Sequence, residues 1–348
     1  MKVLIVGDIH WSTYSSILRS RGKHFSTRLE SLIKSLSWVE QLSKEQGCEE
    51  EIFLGDTFDR EDLSAEEITA LSEVEWNTSS RIKHFIVGNH ESGISTLEYN
   101  STQVLHKLGV IENVPYIYPL DEKTEFLFLP YIVEDNRKPL SEYLKERNTS
   151  KKLVVFSHND IKNFQMGPFL SKTGFDIDEI ENNCSLYFNG HLHNCGNVTK
   201  KIINIGVLSG QNFSEDAFKY EHHVAILDTD TLEIQYFENP YAINFYKIDI
   251  TNLNDLDKLK KVKSNAVVSI KCPNAYQEAL KDTLQQVKNI LTYKIIYTRD
   301  LVSQESSSEI TLEIGEDHLE QFRKYIIETL GNDEIINEEL NEVCGQWN

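Results

Sequence analysis

The 348-residue sequence predicts an α/β fold: a sandwich of strands and helices, then a small α/β unit, then terminal helices. Three observations predict it. Five short apolar runs end in Gly or Ser and pass at once into polar residues, helix-periodic stretches lie between the early runs, and the pattern changes after Asn239-Pro240.

In order, the runs are KVLIVG near the start, EEIFLG at Glu50 to Gly55, KHFIVG at Lys83 to Gly88, KLVVFS at Lys152 to Ser157 and SLYFNG at Ser185 to Gly190. A continuous apolar run of that length reads as a strand buried on both faces. Between the first two, Leu29, Leu32, Ile33, Leu36, Val39 and Leu42 recur at helical spacing from Arg28 to Glu45, and Ala65 to Glu75 repeats the pattern more weakly. Strands alternating with helices gather functional loops at the strand ends. IINIGVLS, HHVAILDTD and EIQYFEN, between Lys200 and Glu238, read as hairpin-linked strands whose second sheet finishes a main domain over residues 1–240. YKIDI, AVVSIKCP, a helix from about Tyr276 to Leu291 and YKIIYTRD make a compact unit over 241–303. The last segment, 304–348, starts in the polar stretch SQESSSE. Asp317 to Leu330 and Glu334 to Val343 are expected as amphipathic helices, with Leu319, Phe322, Ile326, Ile327 and Leu330 on one face, an apolar stripe that suits a partner.

Composition narrows the class. Hydrophobic residues are 40% and charged residues 26%, the balance of a soluble globular protein. No apolar run approaches the roughly 18 residues of a spanning helix, and the N-terminus enters a strand directly, so neither a membrane segment nor a signal peptide is expected. The five cysteines are scattered without a CxxC pair and read as reduced thiols of a cytoplasmic protein. Net charge is −20, which opposes tight binding of a phosphate backbone by this chain alone unless cations or a basic partner supply positive field.

The polar residues after the strands carry the chemistry: GDIHW with Asp8 and His10, GDTFD with Asp56, GNHE with Asn89 and His90, SHND with His158, and GHLH with His191 and His193. Imidazole and carboxylate in this mixture suit first-row metals such as Mn²⁺, Fe²⁺ or Zn²⁺ better than Mg²⁺ alone. Seven donors are too many for one ion and suit two that share a bridge. Alternate residues leaving a strand point the same way, so Asp8 with His10, and His191 with His193, can each clasp one ion. Asp56 is the natural bridge. Gly7, Gly55, Gly88 and Gly190 let the backbone turn and approach closely. Two such metals activate water for in-line phosphoryl displacement. His90 is better placed to give a proton or hydrogen bond to a departing or non-bridging oxygen than to bind metal.

This order of motifs is similar to that of the calcineurin-like metallophosphoesterase superfamily over roughly the first two-thirds of the chain. Within it, the chain resembles the SbcD-type nucleases of SbcCD complexes, whose eukaryotic member is called meiotic recombination eleven, in the compact form found in large phages. The resemblance implies a β-sandwich flanked by helices (αββα), a small capping domain that contacts DNA, and a helical segment docking on a coiled-coil ATPase. It implies Asp8, His10, Asp56 and His193 on one metal, Asp56, Asn89, His158 and His191 on the other, and His90 as the catalytic histidine. The metals would be two divalent ions, Mn²⁺ foremost. Partners would be DNA and an SbcC-like ATPase, with a homodimer inside a heterotetramer, in the cytoplasm, or the host's if the chain is phage-encoded. Glu91 stands where the family usually has Asp, so orienting His90 from behind would need one more methylene of reach. Ser157 precedes His158 where many relatives have Gly.

Other residues have plainer readings. His24, His84, His106, His222, His223 and His318 lack partner motifs, although His24 sits in a loop that could overhang the site. Lys200 and Lys201 suit a solvated turn, and Phe156, Tyr187 and Phe188 a core. Two competing functions stay open: a stand-alone phosphatase or phosphodiesterase of small substrates, and a scaffold without catalysis.

Overall fold

The computed structural model describes residues 1–13, 24–76, 81–93, 97–147, 149–166 and 169–298. The chain divides into two compact units, Met1–Asp300 and Leu301–Asn348, and the second, with the expected terminal helices and His318, lies outside the described residues.

In chain order the strands are β1 (Lys2–Val6), β2 (Glu50–Phe53), β3 (Ile82–Ile86), β4 (Val110–Glu112), β5 (Tyr116–Pro119), β6 (Thr124–Leu129), β7 (Lys152–Ser157), β8 (Gln165–Met166) and β9 (Phe169–Leu170). They continue as β10 (Leu186–Asn189), β11 (Gly196–Asn197), β12 (Ile202–Asn204), β13 (His223–Asp228), β14 (Ile234–Glu238), β15 (Asn244–Asp249), β16 (Ala266–Pro273) and β17 (Ile290–Thr298). The α-helices are α1 (Thr27–Gln46), α2 (Ala65–Leu71), α3 (Leu140–Tyr143), α4 (Ile177–Asn183) and α5 (Gln277–Gln286).

The apolar runs make two six-stranded sheets, ordered β14-β13-β1-β2-β3-β4 and β11-β12-β10-β7-β6-β5. Their composition follows from having a core on each face. In β1, Leu4 and Val6 pack with Leu29, Leu32 and Val39 of α1, while Val3 and Ile5 pack with Phe126, Phe156 and Phe188 of the second sheet. In β7 the pattern repeats: Val154 and Phe156 face the first sheet, and Leu153 and Val155 meet Ile180 of α4 and Leu140 of α3. The layers are therefore helix, sheet, sheet, helix, and Phe156, Tyr187 and Phe188 are core. Helix α1 starts where the Ser26 side chain accepts from the Leu29 N–H and ends at Gly47, whose left-handed backbone (φ 69°) closes the last turn.

Two expectations need correcting. Strands β13 and β14 form the expected hairpin but join the first sheet, β13 running antiparallel beside β1; only β12 enters the second, parallel to β10. Helix α5 stops at Gln286, and Leu291 already belongs to β17. After β14 a three-stranded parallel sheet, β15-β16-β17, encloses its own core of Ile248, Ile250, Leu259, Val268, Ile270 and Leu280. Part of it comes from a 3₁₀ helix at Leu253–Lys261 that periodicity does not announce. No helix among the described residues is long and apolar enough to cross a membrane.

Candidate metal centre

The donor-bearing loops all leave strand ends in the two sheets. Asp8, Asp56 and Asn89 follow β1, β2 and β3, and His158 and His191 follow β7 and β10. Parallel pairing of β1 with β2, β2 with β3 and β7 with β10 brings these ends to one edge. Asp8, His10 and His193 form one group whose donor atoms lie within 4.8 Å of one another, Asp56, His158 and His191 another, and His10, Asp56 and His90 a third. Asn89 joins through its carbonyl oxygen, 3.1 Å from His158 Nε2 and 2.9 Å from His191 Nδ1. The structure thus brings together all eight residues that the motifs single out.

Each carboxylate is divided between scaffold and site. Asp8 Oδ1 accepts from the His191 backbone N–H at 3.0 Å, and its Oδ2 is buried without a hydrogen-bond partner. Asp56 Oδ1 accepts from the His90 N–H at 3.0 Å, and its Oδ2 stands 3.1 Å from His158 Nε2 and 3.9 Å from His10 Nε2. Asp56 Oδ2 therefore faces both halves of the cluster.

The imidazoles are oriented from behind. His158 Nδ1 donates to Leu54 O at 2.7 Å, which turns Nε2 toward Asp56 and Asn89. His193 Nδ1 donates to Glu215 at 2.8 Å, and His10 Nδ1 lies 3.2 Å from Asp59 Oδ1. With both Nδ1 atoms directed at carboxylates, His10 Nε2 and His193 Nε2 face each other at 3.0 Å. Two imidazole nitrogens turned to one another beside the unpartnered Asp8 Oδ2 make a buried nest of metal-ligating atoms that suits positive charge. The donor set therefore fits cations. Burial lowers the His158 imidazole, but Asp56, Asp8 and the Leu54 carbonyl together outweigh it and lift it to about 9. Burial would raise the Asp56 carboxyl, but His158, His10 and His90 hold it well below the usual range.

The backbone is also held in sparsely populated conformations. His10, Asp56 and His191 all have positive φ, 49°, 45° and 68°. Such strain in non-glycine residues persists only where surrounding structure enforces it, and it collects at functional sites. The enforcement is visible: Asp56 O accepts from both Ile9 N–H and His10 N–H, and the buried Arg28 guanidinium donates to Ile9 O, His10 O and Gly210 O. A Cβ on Gly55, itself at φ 98°, would overlap the His158 ring, and one on Gly88 would overlap Asp56. Close approach is what these two glycines permit.

His90 is 42% exposed and packs edge-on against His10, ring centroids 4.8 Å apart. Its Nδ1 donates to the Asp59 backbone carbonyl at 2.9 Å. That contact corrects the expectation for Glu91, whose two oxygens accept from the Gly88 and Phe58 N–H groups and brace the loops around Asp56. Burial, reinforced by Asp56, raises its carboxyl to about 7. Asp59, Glu215, Arg28 and Asp160, whose Oδ1 lies 3.2 Å from His191 Nε2, are the site residues that sequence reasoning missed. Asp59 and Asp160 stood inside the motifs GDTFD and SHND, Arg28 was a charge on the apolar face of α1, and Glu215 had no local signal.

The sequence profile of the calcineurin-like phosphoesterases matches residues 1–195, the stretch that carries every one of these donors. The chain belongs to that family. Family membership makes it a metal-dependent hydrolase of phosphoester bonds, with the Asp and His cluster as the candidate site for its cations. Among solved structures, the chain is similar to a dimetal phosphatase from Danio rerio at 13% identity, over 69% of this chain and 99% of that one, with a TM-score of 0.38. It is also similar to a protein of Thermus thermophilus at 12% identity, over 68% of this chain and 98% of that one, again with a TM-score of 0.38. The sequence matches none of the curated proteins.

Proposed function

We propose that this phosphoesterase is a Mn²⁺-dependent DNA nuclease, a double-strand exonuclease and single-strand endonuclease serving an SbcCD-like complex for end processing, recombination and repair. The observation that carries the reading is the pairing of the donor cluster with a separate three-stranded sheet after residue 240, the arrangement expected of SbcD-type chains. Two divalent cations would supply a nucleophilic water and neutralise charge on the phosphate. The chain's own residues do the rest. Asp8, His10 and His193 would hold one cation and Asn89, His158 and His191 the other, with Asp56 placed to serve both. Imidazoles braced by Glu215, Asp59 and Leu54 O keep their lone pairs aimed inward. With His90 Nδ1 committed to Asp59 O, Nε2 is the atom that carries a proton toward the departing sugar oxygen. An SbcC-like ATPase bound by residues 304–348, a homodimer within a heterotetramer and a cytoplasmic location, the host's if phage-encoded, belong to the same proposal and rest on the motif resemblance.

A second reading, a phosphatase or phosphodiesterase of small substrates, is favoured by the net charge of −20, which repels a nucleic-acid backbone. End-labelled duplex and single-stranded DNA with Mn²⁺ separates the two, using wild type, His90→Ala and Asp56→Ala, with and without the ATPase. The nuclease reading expects cutting that both variants lose and the partner stimulates. Intact DNA beside hydrolysis of a small phosphodiester would leave the second reading standing.

A further inference from the structure

A cavity of about 160 Å³ opens against the donor cluster, lined by Asn89, Ser92, Leu97, Tyr131, Ile132, Val133 and Asn136. Asn89 belongs to both: its side-chain oxygen touches His158 and His191, and the Tyr131 ring lies 6.0 Å from the His191 ring. Cavities of about this size hold one six-membered ring. None of the described residues lining it is charged, in a chain where 26% of residues are, so its chemistry fits a neutral ring. One aromatic and three aliphatic side chains offer contact to a ring face, and two amides and the Ser92 side chain line a polar edge, the balance of a specific ligand pocket.

The wall is fixed in advance. Tyr131 N–H donates to Val87 O at 2.9 Å, Ile132 N–H to Asn159 Oδ1 at 2.9 Å, and Arg137 donates to Ile132 O at 2.8 Å. A wall pinned at three successive backbone groups does not have to order itself around a ligand.

We propose that this cavity receives one nucleobase of the substrate, the base belonging to the nucleotide whose phosphate sits at the donor cluster. The inference rests on the nuclease reading and makes it more specific: the base must leave its stack to enter, so frayed or single-stranded ends are the preferred substrates.

The test is calorimetric titration of the full chain with Mn²⁺, using thymidine 5′-monophosphate, phenyl phosphate and inorganic phosphate. Thymidine 5′-monophosphate is expected to bind about tenfold or more tighter than inorganic phosphate, from the stacking of one base. In Val133→Trp, which fills the cavity from a position already 36% exposed, that preference should fall to within about twofold. Equal binding of thymidine 5′-monophosphate and inorganic phosphate by wild type would overturn the inference, even if DNA were still cut. Phenyl phosphate binding as tightly as the nucleotide would also overturn it, making the cavity a general aryl site. A tenfold preference that survives Val133→Trp would place the base elsewhere. Selective nucleotide binding without cleavage of DNA would retain the cavity and remove the nuclease reading.

Discussion

Strands β2 and β3 carry a buried polar cluster at each end, and the two are built on opposite rules. At their N-terminal ends, Lys83 Nζ lies 2.8 Å from Glu40 and also contacts Glu51, while His84 stands 2.8 Å from Glu112 and 3.2 Å from Glu50 and stacks on Phe128. Each cationic or protonatable group there faces two carboxylates. At the C-terminal ends, Asp56 and Asn89 enter a cluster where oxygens converge on imidazole nitrogens and imidazole faces imidazole. The first cluster draws its positive charge from the chain itself, at Lys83 and His84, and is scaffold. The second is completed by added positive charge, and that deficit distinguishes a site from a strut.

The sharpest way to break the contrast is at Asp56. Asp56→Ala should lower phosphodiester hydrolysis by on the order of 10³-fold or more, because both halves of the cluster lose a donor. A chelator should lower the melting temperature of wild type but not of this variant, since only the intact cluster gains stability from cation binding. Equal chelator shifts would show that cations bind elsewhere. Next in size is Lys83→Met, which strands Glu40 and Glu51 in the interior and should cost about 3–5 kcal/mol in urea unfolding while Mn²⁺ affinity stays unchanged. A fall in affinity would mean that the two clusters are not independent.

Glu215→Gln sharpens the second half of the contrast. It removes the charge behind His193 Nδ1 and should weaken Mn²⁺ binding by about 10–100-fold, read by titration calorimetry. Unchanged affinity would leave Glu215 a mere loop anchor. The smallest effect is a pH slope. Burial would lower the His84 imidazole, but Glu112 and Glu50 raise it above its ordinary 6.5. Its stabilisation is therefore whole below about pH 6.5 and is lost as pH rises through the raised value. Unfolding followed from pH 6 to 9 in saturating Mn²⁺ should show a decline in wild type that His84→Phe lacks. Parallel curves would remove the charged contact.

Much of this was legible because the information is local. The strand-end donors are announced by spacings of two residues, as in Asp8 with His10 and His191 with His193, and the αββα layering by runs such as Val3 to Val6 that bury both faces. What was missed depends on distance along the chain. The return of β13 to β1 joins Asp228 to Lys2, a pairing no periodicity encodes. Glu215 braces His193 from a loop 22 residues away. Glu91 was expected behind His90 because the family usually has Asp there, yet backbone N–H groups of Gly88 and Phe58 take both its oxygens. Lys83 and His84 looked like ordinary residues of an apolar run, and only the neighbouring β2, β4 and α1 reveal their carboxylate partners.

The span of the cluster has a consequence for biosynthesis. His10 and His193 meet across 183 residues, and β1, which leads into Asp8, is flanked by a strand ending at Asp228. A growing polypeptide on the ribosome holds Asp8, His10, Asp56 and Asn89 long before their counterparts exist, and those four alone form no enclosed nest. Hydrolytic power therefore arrives late and all at once, so a nascent or prematurely terminated chain is spared from acting as an unguarded hydrolase.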